Sequence, residues 1–254
     1  MDASRPEVAT DWDKGWAREP IDPAVVDEEA RTPRWKAQER LVRERFGSFD
    51  GLEVIEIGAG RGINGALYAK RGARVTLLDV SELPLQQAKE LYSAHGVEPE
   101  LVVGDVFDLR PEVLGRFDVS MSFGLCEHFL GARRLAVVRA HLEPLRPGGL
   151  AFVGVPNRNA PVYRLWMETL KRTGSWPIGT EEPFTAHELE RLARQAGGEP
   201  LAPAYGSFAA SVVNHGVNQA LFKLGRKGLR VPQTQVPVVD RLAYELLLPI
   251  ARPA

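Results

Sequence analysis

The residues best suited to chemistry in this sequence form one short stretch, where an acid is followed by alternate glycines. Residues 54–57 are apolar except for Glu56, and Gly58, Gly60 and Gly62 come next. Since glycine has no Cβ atom, the backbone can turn sharply at these positions and approach a ligand closely. The pattern predicts a buried strand, a glycine turn and the start of a helix, which together form a nucleotide-sized binding site.

Two observations separate the ligands that such a turn can hold. Gly60, Gly62 and Gly65 fit the spacing of a dinucleotide fingerprint, but they begin two residues late after the strand. The frame that begins at the strand end has Ile63 in place of its third glycine. The ionised carboxylate of Glu56 would repel a pyrophosphate, whereas it suits a cationic ligand without phosphate. S-adenosylmethionine, which carries a sulfonium and an ammonium group, is such a ligand.

Acidic residues also follow the next two predicted strands. Asp79 follows residues 74–78, where it can accept hydrogen bonds from the hydroxyls of a ribose. The alternative is that Asp79 only helps to start the next helix, because Ser81 and Glu82 come directly afterwards. Asp105 stands at the end of the third apolar run.

The pattern E-x-G-x-G-x-G resembles the first motif of class I S-adenosylmethionine-dependent methyltransferases. The run Leu-Arg-Pro-Gly-Gly at 145–149, directly before an apolar strand, is a further resemblance, and the likeness covers about residues 50–200. The resemblance implies that Asp105 accepts a hydrogen bond from the adenine amino group, beside the backbone N–H of Val106. The cofactor-binding residues that it implies are Glu56, Gly58, Ala59, Gly60, Gly62, Asp79, Val80, Asp105, Val106 and Phe123.

A histidine in the loop after the fourth predicted strand is the candidate catalytic residue. In a doubly wound sheet the loop after residues 116–124 lies over the reacting centre, which places Glu127 and His128 there. The imidazole of His128 titrates near neutral pH, so it can take a proton from a hydroxyl or an amine. Alternatively, Glu127 and His128 only orient the loop and contact the cofactor. Cys126 is expected to be a buried apolar residue rather than a nucleophile.

Substrate contacts are expected from two segments outside the motifs. Residues 157–183 are longer than a usual connection and rich in basic and aromatic side chains. They predict a lid over an anionic or aromatic acceptor, and the alternative is a surface helix with a solvated basic face. The N-terminal tryptophans either close over the site or anchor a loose polar arm. The candidate substrate residues are Trp12, Trp16, Glu127, His128, Arg158 and Tyr163.

These elements predict an α/β fold with a doubly wound, mostly parallel seven-stranded sheet, helices on both faces, an N-terminal helical segment and a lid insertion after the fifth strand. The expected division is an N-terminal arm with helices over 1–48, a Rossmann-like cofactor domain over 49–213 and a C-terminal extension over 214–254. The sixth strand is expected within 201–213, and 241–250 is a short helix or strand. The basic, partly apolar extension has three open roles: a dimer surface, a lid or an element on a membrane surface.

Composition narrows the class of protein. The chain has 254 residues and a formal net charge of −1, so no overall basic field attracts nucleic acid. The single cysteine excludes an intramolecular disulfide and a multi-cysteine zinc site, and no metal site is expected. The polar N-terminus and the lack of an apolar run of membrane-spanning length predict a cytoplasmic enzyme, monomeric or homodimeric.

The residues and the resemblance together predict an S-adenosylmethionine-dependent methyltransferase that acts on an oxygen, nitrogen or carbon atom of a small molecule. One alternative is a flavin- or nicotinamide-dependent oxidoreductase that uses the later glycine frame. Another is a protein that binds S-adenosylmethionine without turnover. Methyl transfer is an in-line displacement, so the protein mainly aligns the reactants and excludes water. A base is needed only where the acceptor atom carries a proton.

Overall fold

The computed structural model describes residues 16–17, 21–176, 179–230 and 233–254. The strands are β1 Glu53–Ile57, β2 Arg74–Asp79, β3 Glu100–Val103, β4 Phe117–Phe123, β5 Leu145–Pro156, β6 Glu199–Pro200, β7 Ala204–Tyr205 and β8 Glu245–Ala251. The helices are α1 Ala24–Glu29, α2 Pro33–Phe46, α3 Ile63–Ala69, α4 Glu82–Ala94, α5 Ala132–Leu142, α6 Pro161–Arg172, α7 Ala186–Gln195, α8 Phe208–Val212, α9 Gln219–Lys223 and α10 Pro237–Asp240.

The strands form one sheet in the order β3-β2-β1-β4-β5-β8-β6, and β7 also pairs with β8. β1 to β5 are parallel, and β8 is antiparallel to its neighbours. In β1 the apolar residues Val54, Ile55 and Ile57 are fully buried, as expected of a strand covered on both faces. The strand order reverses between β1 and β4, and a doubly wound sheet binds its ligand at that point. The predicted fold class is confirmed.

The strand count differs from the predicted seven because the sixth strand is split into β6 and β7. Glu199 pairs with Ala251 and Tyr205 pairs with Leu246, so the register along β8 slips by one residue between the two pairs. Pro203, which has no N–H for the ladder, lies at this slip. The strand expected within 201–213 is represented there by β7, and the pairing with β8 begins earlier in the chain, at β6.

The C-terminal residues complete the sheet. The sequence left residues 241–250 open between a helix and a strand. In the structure the strand β8 begins at Glu245, and it lies between β5 and β6. Leu246, Leu248 and Ile250 are fully buried there. Part of the C-terminal extension is therefore a central strand rather than an addition to the surface.

The helix before the first strand anchors the N-terminal face of the core. Thr32 accepts a hydrogen bond from the N–H of Trp35 at 3.1 Å and so caps α2, whose first residue is Pro33. The ring of Trp35 is buried against Phe49 and Tyr68, with centroid distances of 5.8 and 5.4 Å. Trp35 therefore belongs to the core.

Two insertions at the carboxyl edge of the sheet pack against each other, and we call residues 157–185 and 206–244 together the cap. The first follows β5 and contains α6, and the second follows β7 and contains α8 to α10. The ring of His215 joins them, since its centroid lies 5.1 Å from that of Tyr163 and 5.4 Å from that of Trp166. The segment predicted as a lid therefore packs on part of the C-terminal extension.

Candidate active site

The glycine turn lies at the carboxyl end of β1. Gly58, Gly60 and Gly62 have φ angles of 59°, 52° and 64°, in the left-handed region that favours glycine. The carboxylate of Glu56 accepts a hydrogen bond from the N–H of Gly65 at 2.7 Å, which ties the end of β1 to the first turn of α3. Glu56 is 4% exposed, and burial raises its pKa to about 8.

This bond bears on the kind of ligand that the turn can hold. A pyrophosphate at such a site would bind the free N–H groups in the first turn of the following helix. Here the Gly65 N–H is already taken by Glu56, and an anion bound beside Glu56 would oppose ionisation of its carboxyl group. A turn whose N–H group is occupied and which has an acid beside it therefore fits a cationic, phosphate-free cofactor.

Asp79 ties the glycine turn to the start of α4. Its Oδ2 accepts a hydrogen bond from the N–H of Gly60 at 2.8 Å, and its Oδ1 accepts one from the N–H of Ser81 at 2.9 Å. The Gly104 N–H donates to the Asp79 carbonyl at 2.9 Å, which brings the exit of β3 alongside. Asp79 thus holds the glycine turn and the turn before α4 together, while the N-cap residue of α4 is Ser81.

The remaining candidate cofactor residues lie at the same edge of the sheet. The carboxylate of Asp105 accepts a hydrogen bond from the N–H of Phe107 at 2.9 Å. The side chain of Val106, the residue between them, is buried. The ring of Phe107 meets that of Phe129 edge-on at 4.8 Å, so the exit loops of β3 and β4 are in contact. Ala59 donates its N–H to the end of β2, while Val80 and Phe123 stand at the carboxyl ends of β2 and β4.

Trp16 lies directly on the glycine turn. A Cβ atom placed on Gly60 would come within 2.7 Å of the Trp16 ring. The guanidinium of Arg61 lies over that ring, 5.4 Å from its centroid, and donates to the Trp16 carbonyl at 3.4 Å. A cavity of about 250 Å³ opens beside Trp16, lined by Ile21, Asp22, Val25, Arg61, Ile63 and Leu91. Trp12, the other candidate of the N-terminal arm, lies outside the described residues.

The loop after β4 contains a buried carboxyl group with an open hydrogen-bonding position. Glu127 is 2% exposed, and its Oε2 has no hydrogen-bond partner among the described residues. Burial, together with the nearby charge of Glu181, raises its pKa to about 8. Cys126 is fully buried, as predicted, and burial raises the pKa of its thiol.

His128 is held by the backbone around it. Its Nδ1 lies 2.8 Å from the carbonyl oxygen of Thr180, and its ring also hydrogen-bonds the Gly124 carbonyl. Burial outweighs these contacts and lowers the pKa of the imidazole. These contacts fix the ring between the loop after β4 and the cap.

The cap places the two other candidate substrate residues in different settings. Tyr163 is buried, and its hydroxyl donates to the carboxyl group of Glu181, whose pKa burial raises to about 7. Arg158 pairs with Glu182 at 2.9 Å and with Glu188 at 3.4 Å. The guanidinium of Arg158 is therefore engaged on the cap, whereas Tyr163 joins a buried acid.

Sequence reasoning missed Arg34, which lies beside the site. Its guanidinium stacks over the ring of Phe123, 4.7 Å from the centroid. It pairs with Glu29 at 2.5 Å and also with Glu245 at the start of β8. No local pattern marks Arg34, because two of its partners, Phe123 and Glu245, come from distant parts of the chain.

The described residues contain neither a cluster of metal ligands nor a helix that could span a membrane. No group of three or more His, Cys, Asp and Glu side chains in residues 16–17, 21–176, 179–230 and 233–254 is arranged to hold a metal ion. In the same part of the chain, no helix has the length and apolar character needed to cross a bilayer.

Comparison with known proteins identifies the family. Residues 54–149 match a family model described as a methyltransferase domain. Over 158 residues, 61% of this chain, the sequence is 34% identical to the ubiquinone biosynthesis O-methyltransferase of Chromobacterium violaceum, and it covers 67% of that protein. The chain belongs to the class I S-adenosylmethionine-dependent methyltransferases.

A second sequence relative agrees with this family, and two solved structures share the fold of this methyltransferase. The ubiquinone biosynthesis O-methyltransferase of Escherichia coli O7:K1 is 30% identical over 155 residues, which are 61% of this chain and 62% of that protein. Magnesium protoporphyrin IX methyltransferase from Synechocystis, solved with S-adenosylhomocysteine, superposes with a TM-score of 0.59 at 15% identity, covering 96% of this chain and 93% of its own. A Burkholderia thailandensis 1,6-didemethyltoxoflavin N1-methyltransferase gives a TM-score of 0.57 at 19% identity, covering 100% and 92%.

Family membership decides between the two enzyme classes considered from the sequence. The methyltransferase prediction is confirmed, and its cofactor is S-adenosylmethionine. The oxidoreductase alternative, which used the later glycine frame, was wrong. The glycine turn of this methyltransferase gives the physical reason, since Glu56 occupies the N–H that a phosphate would need.

Proposed function

We propose that this methyltransferase transfers the methyl group to the hydroxyl oxygen of a small aromatic molecule. The observation that carries the proposal is Oε2 of Glu127, a buried acceptor without a hydrogen-bond partner among the described residues. A buried polar group without a partner destabilises the fold, so its retention points to a role in the reaction. A hydroxyl acceptor would supply the missing partner, and it needs a base to take its proton.

The relatives and the cap support this acceptor. The proteins of Chromobacterium violaceum and Escherichia coli are both O-methyltransferases of ubiquinone biosynthesis. Tyr163, Trp166 and Tyr244 form an aromatic cluster in the cap, where Tyr163 lies 4.5 Å from Tyr244 between ring centroids. Flat apolar rings of this kind favour an aromatic acceptor. Arg158, which had favoured an anionic acceptor, is paired with two glutamates instead.

In this proposal the glycine turn and the acids beside it hold the cofactor. S-adenosylmethionine supplies a methyl group already activated by the sulfonium. Glu56 balances the positive charge of the cofactor, Asp79 accepts bonds from the ribose, and Asp105 with the Val106 N–H binds the adenine. Trp16 covers the turn. The other cofactor contacts come from residues of the turn and of the strand ends, namely Gly58, Ala59, Gly60, Gly62, Val80 and Phe123.

We assign the proton transfer to Glu127 rather than to His128. The ring of His128 is engaged with two backbone carbonyls, whereas Glu127 has an acceptor position to spare. A carboxyl group whose pKa is raised by burial is also matched to a proton transfer near neutral pH. His128 then fixes the loop that carries Glu127, and Glu127 contacts the acceptor.

Labelling of a cell extract tests the acceptor. We expect the enzyme, given methyl-labelled S-adenosylmethionine and a whole cell extract, to place the label in a methyl ether of a small aromatic compound. Mass spectrometry identifies the product, and protein that lacks added cofactor is the control. Label in an N-methyl or C-methyl group would contradict the oxygen acceptor. Label only in a protein or nucleic-acid fraction would contradict a small molecule.

A further inference from the structure

The second insertion of the cap exposes an unusual amount of apolar surface. Of the thirteen large hydrophobic side chains that are exposed in the described part of the chain, eight lie between residues 217 and 242. Leu224 is 72% exposed and Val238 is 81% exposed. The eight, which we call the exposed apolar set, are Val217, Phe222, Leu224, Leu229, Val236, Val238, Val239 and Leu242. Monomeric proteins scatter such residues singly, so a concentration in one segment indicates a binding surface.

The charge of this segment has one sign. Residues 200–239 contain no Asp or Glu, although the whole chain has a formal net charge of −1. Lys223, Arg226 and Lys227 are exposed within the apolar run and form no ion pair with a described residue. Arg230 is also exposed, and it pairs with Glu28 at 2.6 Å. The surface therefore combines large apolar side chains with an uncompensated positive charge.

The apolar and the cationic side chains together limit what can bind to this surface. In a symmetric contact with a second copy of the chain, each cationic patch would face the same patch, and the like charges would repel. An uncharged apolar partner would leave the cations without compensation. A bilayer with anionic head groups satisfies both features, since Lys and Arg meet the head groups while Phe and Leu enter the boundary of the acyl chains.

We propose that the surface formed by the exposed apolar set and Lys223, Arg226 and Lys227 docks the enzyme on an anionic lipid membrane. Of the three roles open to the C-terminal extension, this assigns the membrane role to its outer face. Its inner face packs on α6 through His215. The cap would thus lie between the membrane and the carboxyl edge of the sheet. The proposal does not depend on the identity of the methyl acceptor.

Sedimentation with lipid vesicles tests the proposal on the full-length protein. We expect binding to vesicles of equal parts phosphatidylcholine and phosphatidylglycerol, and little binding to vesicles of phosphatidylcholine alone. Binding should weaken as salt is raised, because the attraction of exposed charges is screened. Failure to bind the anionic vesicles, or equal binding to both kinds, would overturn the proposal without any variant.

Variants separate the apolar contribution to membrane binding from the contribution of the charges. The double change Phe222→Ser and Leu224→Ser removes apolar contact and should lower the partition coefficient at least about tenfold. Lys223→Glu with Lys227→Glu should also lower it about tenfold or more. Matched controls are Leu114→Ser, an exposed leucine that precedes β4 at the opposite edge of the sheet, and Lys89→Glu on α4. Both controls should bind as the wild type does.

Two outcomes of the variants would contradict the membrane role. Equal losses in the controls would show that the binding is general rather than local to this surface. A wild-type dimer that Phe222→Ser with Leu224→Ser converts to monomer, seen by light scattering, would make the surface a contact between copies. Melting curves and S-adenosylmethionine titrations should be unchanged in every variant, which establishes that each one is folded.

Discussion

Replacement of Glu127 by glutamine is expected to lower kcat by about 10²–10⁴-fold, the contribution of a well-placed base. Glutamine keeps the size and the polar character of the side chain, but it cannot take a proton from the acceptor. The affinity for S-adenosylmethionine should change little, because Glu127 faces the acceptor in our proposal. Steady-state kinetics with the acceptor found by labelling, together with a cofactor titration, measure the two effects separately.

The pH dependence of kcat gives a second readout of the same variant. The base acts only when ionised, and burial raises the pKa of Glu127 to about 8. The wild-type rate should therefore rise with pH and level off above about pH 8, while the residual rate of Glu127→Gln should lack this step.

Stability distinguishes lost chemistry from lost folding. The folded chain keeps a proton on Glu127 that the unfolded chain releases above the ordinary pKa of 4.5. Ionisation of Glu127 thus opposes folding, and its contribution to stability falls as the pH rises from about 4.5 to about 8. Glu127→Gln should consequently melt no lower than the wild type at pH 8, even though its activity is lost.

His128→Gln is the matched control on the neighbouring residue. If His128 only fixes the loop, its replacement should lower turnover and acceptor affinity together, because the geometry around Glu127 loosens. A large loss of kcat in His128→Gln with an unchanged rate in Glu127→Gln would reverse the assignment. Histidine would then be the base, as the sequence alone suggested.

Replacement of Asp79 by alanine is expected to lower the affinity for S-adenosylmethionine at least about tenfold, which corresponds to 1.4 kcal/mol. The carboxylate would accept bonds from the ribose, and bonds to a charged acceptor contribute about 1.5–3 kcal/mol each. The structure adds a second effect, because the N–H groups of Gly60 and Ser81 lose their acceptor. The melting temperature of the cofactor-free protein should therefore fall as well.

Asp79→Asn separates these two roles. Asparagine retains one oxygen for the backbone N–H groups, so the cofactor-free melting temperature should fall less than in Asp79→Ala. The rise in melting temperature that the cofactor induces should still shrink, since the charge is gone. Glu82→Ala, at the start of α4 but away from the turn, is the control for helix initiation. A full cofactor-induced rise in Asp79→Asn would show that Asp79 is structural only.

The sequence predicts the parts of this fold that depend on short-range spacing. The strand, glycine turn and helix around Glu56 could be located because each glycine position requires a backbone that other residues rarely adopt. The start of α7 also follows from local spacing, because Thr185 and Glu188 stand three residues apart and the Thr185 hydroxyl accepts a hydrogen bond from the N–H of Glu188 at 3.1 Å. Asp79 and Asp105 could be placed at the same edge of the sheet because each follows a predicted parallel strand, and the carboxyl ends of parallel strands meet at one edge.

The remaining features depend on contacts between distant residues. The apolar run around Leu247 suits a helix as well as a strand, and only its pairing with β5 decides between them. Arg34, Phe123 and Glu245 are far apart in the chain, and no local pattern connects them. Nor does local sequence place Glu181 beside Glu127, because that approach depends on how the cap folds back.

The central claim is that the glycine turn binds a cationic, phosphate-free cofactor through Glu56. Calorimetric titration of S-adenosylmethionine at pH 7, in two buffers of different ionisation enthalpy, tests it most directly. Burial raises the pKa of Glu56 to about 8 in the cofactor-free protein, so the carboxyl is mostly protonated there. A cationic ligand favours the carboxylate, and we therefore predict binding with release of close to one proton, which Glu56→Gln abolishes. Micromolar binding of NAD or FAD, or S-adenosylmethionine binding whose heat is the same in both buffers, would contradict the account.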